Sequence, residues 1–405
     1  MTILLLNDTC ETDGGSARIA LEDAYAMAQR GHRVIFFSAC GVIPEQAGGI
    51  EWISLRQDSI LDERRRWLAA TRGIWNFEAA AELRKVLAVL APSTTVIHLH
   101  SWSKALSGSV VAEARRARFK MVSTLHDYFV LCPNGGLYDY PKRSVCHLRP
   151  MSLSCVARNC DSRRYLHKLW RVVRQTTWRY LAGIPDSFTT MIAVSTFEAQ
   201  KLKAYGLHGD VKVIDNLPHI EALSRDSHDN QRNGILFAGR VSAEKGVEVY
   251  LRASAKAGMK ATVLGDGPLA PKLSREWPAA HFSGWLRRSN LLERLQQSLA
   301  VVVPTLCFET YGLIVAEAAA MGAASIVSDH GASAALVEEG VTGLHFKAGD
   351  ADDLARKMTY VRDHADLVVA MGLEARRRFW TDYAERQEIR LRKIEMVYRE
   401  HLDSK

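Results

Sequence analysis

The sequence predicts an α/β protein of two domains, each a parallel β-sheet with helices on both faces. Three observations carry this. The chain has 405 residues, too many for one compact core. Short apolar, β-branched runs alternate with helical stretches through both halves, the pattern of parallel strands joined by right-handed crossovers. Midway, near Asn216–Asn233, a polar stretch interrupts the alternation; it contains Pro218 and has no apolar residue from Asp226 to Asn233.

In the first half the strands are expected at Ile3–Leu6, Arg33–Phe37, Val96–His100, Met121–Leu125, Met191–Val194 and Val211–Ile214. Most are near-continuous apolar runs, as burial on both faces requires. A helix over Ala17–Arg30 stops at Gly31. Ser195 and Glu198 have the spacing of a capping box at the start of another helix. In the second half the strands are Ile235–Ala238, Ala261–Leu264, Val301–Val303 and Ser325–Val327. Helices are expected over Gly246–Ala257, Leu291–Ser298, Gly312–Met321 and Ala351–Val361. The segment Arg376–Leu402 predicts one helix with Phe379, Tyr383, Leu391, Ile394 and Tyr398 spaced by turns, able to cap either domain. No short-period repeat is evident.

Composition is that of an ordinary globular chain, 47% hydrophobic and 24% charged. The longest apolar runs are strand-sized, far short of a membrane span. The opening Met1–Leu6 lacks a basic leader and reads as a buried strand, and seven cysteines then point to a reducing, cytoplasmic compartment. The net charge of +8 resides in the first half. Between Lys142 and Arg179 stand ten basic residues and one acid, Asp161. That density suits an anionic partner: nucleic acid, acidic lipid or a phosphorylated acceptor. A solvated helix face accounts for it equally well.

Ligands of open α/β sheets bind at the carboxyl ends of strands, and chemistry-bearing residues follow several of these. Gly14 and Gly15 lead from the first strand into a helix, where backbone N–H groups can approach a phosphate; a plain turn explains them too. His126 follows Met121–Leu125 and can meet a sugar hydroxyl or merely anchor its loop. Gly239, Arg240 and Lys245 flank a turn entering a helix. A planar guanidinium and a point-charged ammonium together suit a diphosphate and its developing charge. The strongest segment runs from Pro304 to Ala318. Glu309 sits in its loop, and Thr310, Tyr311, Gly312 and Leu313 open the next helix with free N–H groups. Glu317 lies inside that apolar helix, where a carboxylate needs a defined partner such as two ribose hydroxyls.

Glycines after the first strand, Gly-Arg-x4-Lys-Gly at 239–246 and Glu-x7-Glu at 309–317 occur in order. With them the chain resembles family 4 of the retaining glycosyltransferases over nearly its whole length. The resemblance implies the GT-B fold, two Rossmann-like domains with parallel sheets facing each other across a cleft. It divides the chain into an acceptor-side domain, 1–215 plus about 385–405, and a donor-nucleotide-binding domain, 216–384. The first would carry a basic, cysteine-rich insert over 127–185. It implies a hexosyltransferase using a UDP- or GDP-sugar as donor, with a saccharide or lipid-diphosphate-linked acceptor, in polysaccharide or glycolipid synthesis of the cell envelope. By the same resemblance Arg240 and Lys245 hold the diphosphate, and Glu309 contacts donor sugar hydroxyls. Glu317 contacts the ribose, N–H groups around Thr310–Leu313 help bind phosphate, and Gly14 and Gly15 line the diphosphate region. His126 hydrogen-bonds the transferred sugar. No residue is an obvious covalent nucleophile, so front-face attack is expected. Two other classes compete: a nucleotide-sugar epimerase of the same fold, and a non-catalytic protein gripping anions or membrane.

No catalytic metal is expected. Asp350-Ala351-Asp352 spells a metal-binding pattern of another fold, but helix capping explains it. Cys132, Cys146, Cys155 and Cys160 are numerous enough for a structural zinc, though no Cys-x2-Cys pair is present. After them, residues 158–180 form a basic amphipathic helix with Leu166, Leu169, Trp170, Val173 and Trp178 on one side. Such a helix suits the cytoplasmic face of an anionic membrane, as does Arg64–Leu68, and suits equally well packing on its own domain. No nucleic-acid motif is present, so nucleic acid is not an expected partner.

Overall fold

The computed structural model describes residues 1–12, 14–45, 48–220 and 232–403. The stretch read as an interdomain linker falls largely on 221–231, outside the described residues. The chain forms two compact units.

The first unit comprises residues 1–137, 147–216 and 387–405. Its strands are β1 (Thr2–Thr9), β2 (Arg33–Cys40), β3 (Ile50–Ser54), β4 (Thr95–Leu99), β5 (Lys120–Leu125), β6 (Thr190–Ala193) and β7 (Val211–Val213). They form one parallel sheet in the order β3-β2-β1-β4-β5-β6-β7. Ile3, Leu5, Phe36, Val96, Val122 and Ile192 pack together in its core. Burying each such side chain stabilises by about 1.5–3 kcal/mol, which is why these strands read as unbroken apolar runs. Ile394, Val397 and Tyr398 of the helix Tyr383–Asp403 join the same core. The unit is therefore discontinuous in sequence.

One helix was expected over Arg376–Leu402; two form, Ala365–Trp380 and Tyr383–Asp403. The break is at Thr381–Asp382, where Asp382 adopts φ 51°, a left-handed conformation that aspartate tolerates better than most residues. Phe379 consequently packs in the second unit and Tyr398 in the first.

The second unit comprises residues 138–146 and 217–386. Strands β8 (Ile235–Ala238), β9 (Thr262–Leu264), β10 (His281–Phe282), β11 (Ala300–Val303), β12 (Ala324–Ser328) and β13 (Gly343–Phe346) make a parallel sheet in the order β10-β9-β8-β11-β12-β13. A small antiparallel hairpin, Tyr138–Asp139 with Ser144–Val145, also belongs here, and its Arg143 pairs with Glu248 at 2.7 Å. In each sheet the strand order reverses between two neighbours, β1 and β4 in one and β8 and β11 in the other. Crossovers leave in opposite directions there and open a crevice at the carboxyl ends.

Two glycines are fixed by geometry at the second crevice. Gly246 has φ 69°, and a Cβ on it would fall 1.8 Å from the Pro304 carbonyl oxygen. Gly312 has φ 108°, and a Cβ would crowd Ser333 at 2.8 Å. Both let one loop lie directly against another.

Candidate active site

In the second unit the loops after β8 and β11 lie side by side because their strands are hydrogen-bonded neighbours. Lys245 ends a one-turn helix, Ala243–Lys245, and its Nζ meets Glu309 Oε1 at 2.5 Å. The other Glu309 oxygen accepts from Ser333 Oγ, and from Thr305 Oγ1 at 3.4 Å. Burial alone would raise the Glu309 pKa, but Lys245 and these hydroxyls outweigh it and hold the carboxylate below its ordinary range. Burial likewise opposes the charge on Lys245, and Glu309 overrides it, so the ammonium titrates above its ordinary value. Leu306 N–H donates to the Glu244 carbonyl at 2.8 Å, which locks the two loops together.

Arg240, two residues past β8, is exposed. Among the described residues it makes no ion pair. Gly239, before it, has its N–H bonded to the Leu264 carbonyl at 2.9 Å. Gly312 precedes the helix Leu313–Met321, whose first N–H groups begin beside Thr310 and Tyr311. Glu317, 3% exposed, is buried in that helix. Among its neighbours is Arg288, whose Nη2 stands 3.6 Å from Glu317 Oε1 and donates to the His219 carbonyl at 2.6 Å. Arg288 and Ser333 were invisible to motif reasoning, since each comes from a separate element. Arg240, Lys245, Glu309 and Glu317 thus follow the carboxyl ends of two adjacent strands.

In the first unit Gly14 precedes the helix Gly15–Gln29 with φ 98° and no side-chain cap. Asp8, at the end of β1, accepts from the N–H groups of Lys104, Ala105 and Leu106 at 2.8–2.9 Å and so fixes the loop after β4. His126 follows β5, half-buried. Its Nε2 lies 3.1 Å from Nδ1 of His100, which follows β4. Burial pushes the His126 pKa down to about 4, leaving it neutral near pH 7. Sequence reasoning did not single out His100, although His98-Leu99-His100 at a strand's end was the available signal.

The four cysteines named as possible zinc ligands have other neighbours in this structure. Among the described residues no group of three or more cysteine, histidine or carboxylate side chains is placed to hold a metal. Cys146 belongs to the second unit. Cys155 instead accepts from Nζ of the fully buried Lys168 at 3.5 Å, and Asn134 donates to Cys160 Sγ at 3.4 Å. Burial works against the Lys168 charge, but Cys160, Cys155 and Cys132 hold its pKa above the ordinary value. An ammonium provides the positive charge among these thiols. Asp350 caps the helix Ala351–Asp363 through Asp352 and Asp353 N–H, both at 3.0 Å.

The expected amphipathic helix is Tyr165–Thr177, and its apolar side is divided between the protein interior and solvent. Trp178 is buried and donates to the Ile74 carbonyl, while Trp170 donates to that of Ala70. Lys168, Arg174 and Gln175 also face inward. Arg174 lies over the Phe129, Trp170 and Trp178 rings at 4.5–5.2 Å, and burial pushes its pKa down to about 9. Leu166 and Val173 are exposed, as are Tyr180, Leu181 and Trp67.

Comparison with known proteins places this geometry. The Glycosyltransferase Family 4 profile matches residues 13–217, more than half of the chain, and the profile of Glycosyl transferases group 1 matches residues 232–364. The chain belongs to glycosyltransferase family 4. The family 4 chain is 26% identical over 398 residues to a glycogen synthase of Mycobacterium tuberculosis, covering 91% of this chain and 87% of that protein. It is 36% identical over 177 residues to a GDP-mannose-dependent alpha-mannosyltransferase of Corynebacterium glutamicum, covering 42% and 43%. Among solved structures it resembles Anabaena Alr3699/HepE in complex with UDP and glucose, with a TM-score of 0.66 at 16% identity and 98% and 99% coverage. It also resembles a sucrose-phosphate synthase of Thermosynechococcus elongatus, with a TM-score of 0.67 at 19% identity and full coverage of both chains. These likenesses give the fold as GT-B. The activity class is glycosyl transfer.

Proposed function

We propose that this glycosyltransferase moves a hexose-type sugar from a UDP- or GDP-sugar to a saccharide or lipid-linked acceptor, with retention, in cell-envelope polysaccharide or glycolipid synthesis. The observation that carries the reading is the Lys245–Glu309 pair, which bridges two loops at the crevice where strand order reverses. The relative in complex with UDP and glucose supports a nucleotide-sugar donor.

In this reading Lys245 and Arg240 take the charge that develops on the departing diphosphate, and the amides opening the helix at Leu313 add to it. Glu309, released in part by the arriving phosphate, accepts from hydroxyls of the moving sugar. Glu317 turns from Arg288 to the ribose. The acceptor hydroxyl attacks from the face the leaving group vacates, and the leaving phosphate oxygen takes its proton. These fixed cations do the work a metal ion does elsewhere, so chelators are expected to leave turnover unchanged.

Support for a peripheral membrane site on the cytoplasmic face comes from the outward Leu166 and Val173, set among the arginines of the helix. The reading is tested by thermal shift with a panel of nucleotide sugars and free nucleotides. A rise with one base, lost on Lys245→Ala, is expected. No rise with any UDP or GDP compound sinks the donor assignment.

A further inference from the structure

Glu309 is held by a different kind of partner on each oxygen. Oε1 meets the Lys245 ammonium at 2.5 Å. Oε2 accepts from Ser333 Oγ and, at 3.4 Å, from Thr305 Oγ1. Ser333 comes from a third loop, the one after β12, whose strand is hydrogen-bonded to β11. Two features bring that loop against Glu309. Ala332 N–H donates to the Glu309 carbonyl at 3.2 Å. Gly312 carries no Cβ, which would fall 2.8 Å from Ser333 Oγ. Ser333 is 3% exposed and Thr305 2%, so these hydroxyls are shielded from solvent.

The two kinds of partner respond differently to a charged ligand. An ammonium is drawn to an arriving diphosphate, and its hold on Glu309 then weakens. That is the moment at which the carboxylate has to accept from the sugar. Left to burial alone, Glu309 would tend to take up a proton. A protonated carboxyl presents an O–H and loses acceptor capacity. A hydroxyl fixed in the wall has no net charge for the phosphate to draw away. Its bond to an ionised oxygen is stronger than its bond to a neutral one, so it favours the carboxylate. It also settles which oxygen is left over: with Oε2 engaged, Oε1 is the one that a ligand can take.

We propose that Ser333 is a positioning residue for the transfer, keeping Glu309 ionised and its Oε1 turned to the donor sugar while Lys245 engages the diphosphate. This role rests on the function proposed above. Thr305 assists from its longer distance. The other titratable groups of the three loops are Arg240 and Glu244 beside Lys245, Cys307 and Tyr311 beside Glu309, and Asp329 and His330 ahead of Ser333. Burial pushes the Cys307 thiol up to about 12, so it stays neutral.

The test measures kcat against pH for the full chain, Ser333→Ala, Glu309→Gln and the double variant, with a nucleotide sugar that the wild type turns over. The kcat profile reports the enzyme–substrate complex, the state in which Lys245 is engaged. Ser333→Ala should lower kcat about tenfold or more, the value of a hydrogen bond to a charged group. Its acid limb should move to higher pH by about one unit, because a bond that favours the ionised form is gone. In the Glu309→Gln background the same substitution should cost little and move no limb, which separates Glu309 from the neighbouring titratable groups. Circular dichroism and affinity for the nucleoside diphosphate should hold. A kcat that falls with the acid limb in place gives Ser333 a merely structural role and overturns the proposal. An equal loss in both backgrounds, or no loss at all, overturns it too. A wild type that transfers sugar from no UDP- or GDP-sugar sinks the proposed function and this role with it, whereas a working wild type with an unmoved limb in Ser333→Ala sinks the role alone.

Discussion

Lys245 and Glu309, 64 positions apart in sequence, form a 2.5 Å ion pair that ties the turn after β8 to the loop after β11. Each is therefore a structural partner of the other in the ligand-free chain as well as a candidate ligand for the donor. Removing one leaves the other half-buried and short of its counter-charge. Lys245→Ala and Glu309→Ala are each expected to cost about 1–3 kcal/mol. The double variant should lose less than the sum, by at least about 0.5 kcal/mol. Urea unfolding of the four proteins measures this, and strict additivity would remove the pair.

Arg240 gives the contrasting case, since it is exposed and makes no ion pair among the described residues. Arg240→Ala should leave stability within about 0.5 kcal/mol. It should weaken the binding of a nucleoside diphosphate roughly tenfold to a hundredfold, the value of a hydrogen bond to a charged group. Titration calorimetry separates the two effects. Unchanged affinity excludes Arg240 from the diphosphate site.

The buried histidines make the first unit sensitive to acid. His98 and His100 are held well below the ordinary histidine pKa by burial, and His126 at about 4. In the unfolded chain each takes up a proton below about pH 6.5, and in the folded chain it does not. Unfolding therefore binds protons, and stability falls as pH drops from about 6.5 to 4, by about 1.4 kcal/mol per pH unit for each group. Asp127, raised to about 6 by burial, and Glu198, raised well above its ordinary value, act in the opposite direction. The clean observable is a difference: His98→Gln should unfold with a flatter pH slope than wild type. Parallel slopes would show that His98 is protonated in the fold.

Lys168 serves as the cation of the thiol cluster, so chelation should leave the melting temperature unchanged. Lys168→Ala should lower stability by about 2–5 kcal/mol, as truncation of a long buried side chain does. Stoichiometric zinc in the purified protein, lost together with its stability on chelation, would contradict this assignment.

The exposed face of the basic helix offers a membrane test. Replacing Arg163 and Arg164, both exposed, with glutamine should weaken binding to vesicles rich in anionic lipid by roughly thirtyfold, at about 1 kcal/mol per basic residue. Leu166→Ser should weaken it further, with sugar transfer to a soluble acceptor intact. Undiminished vesicle binding would rule this face out.

What sequence could read, and what it could not, divides along physical lines. Strands such as Ile235–Ala238 were legible because burial on both faces writes an unbroken apolar run. Lys245 and Glu309 were legible because loops at a strand's carboxyl end keep fixed spacings. Arg288 was not, nor were Asp23 and Arg390, which pair at 2.6 Å, since each acts through a partner far along the chain and no local period encodes that. The inward Lys168 and Arg174 of the helix Tyr165–Thr177 were not legible, because they are satisfied by a thiol, aromatic rings and a carbonyl, which a hydropathy pattern does not foresee. The strands Ile50–Ser54, His281–Phe282 and Gly343–Phe346 were missed because each is short or only partly apolar.

The helix Tyr383–Asp403 has a consequence for the order in which the protein matures. During synthesis the strand Thr2–Thr9 is translated well before Arg390 and Tyr398, which complete the interior of its sheet and follow the whole of the second unit. Until those residues leave the ribosome, Asp23 lacks its guanidinium and one apolar surface of the sheet stays uncovered. The packing around its histidine site is thus completed only after the second unit has been translated.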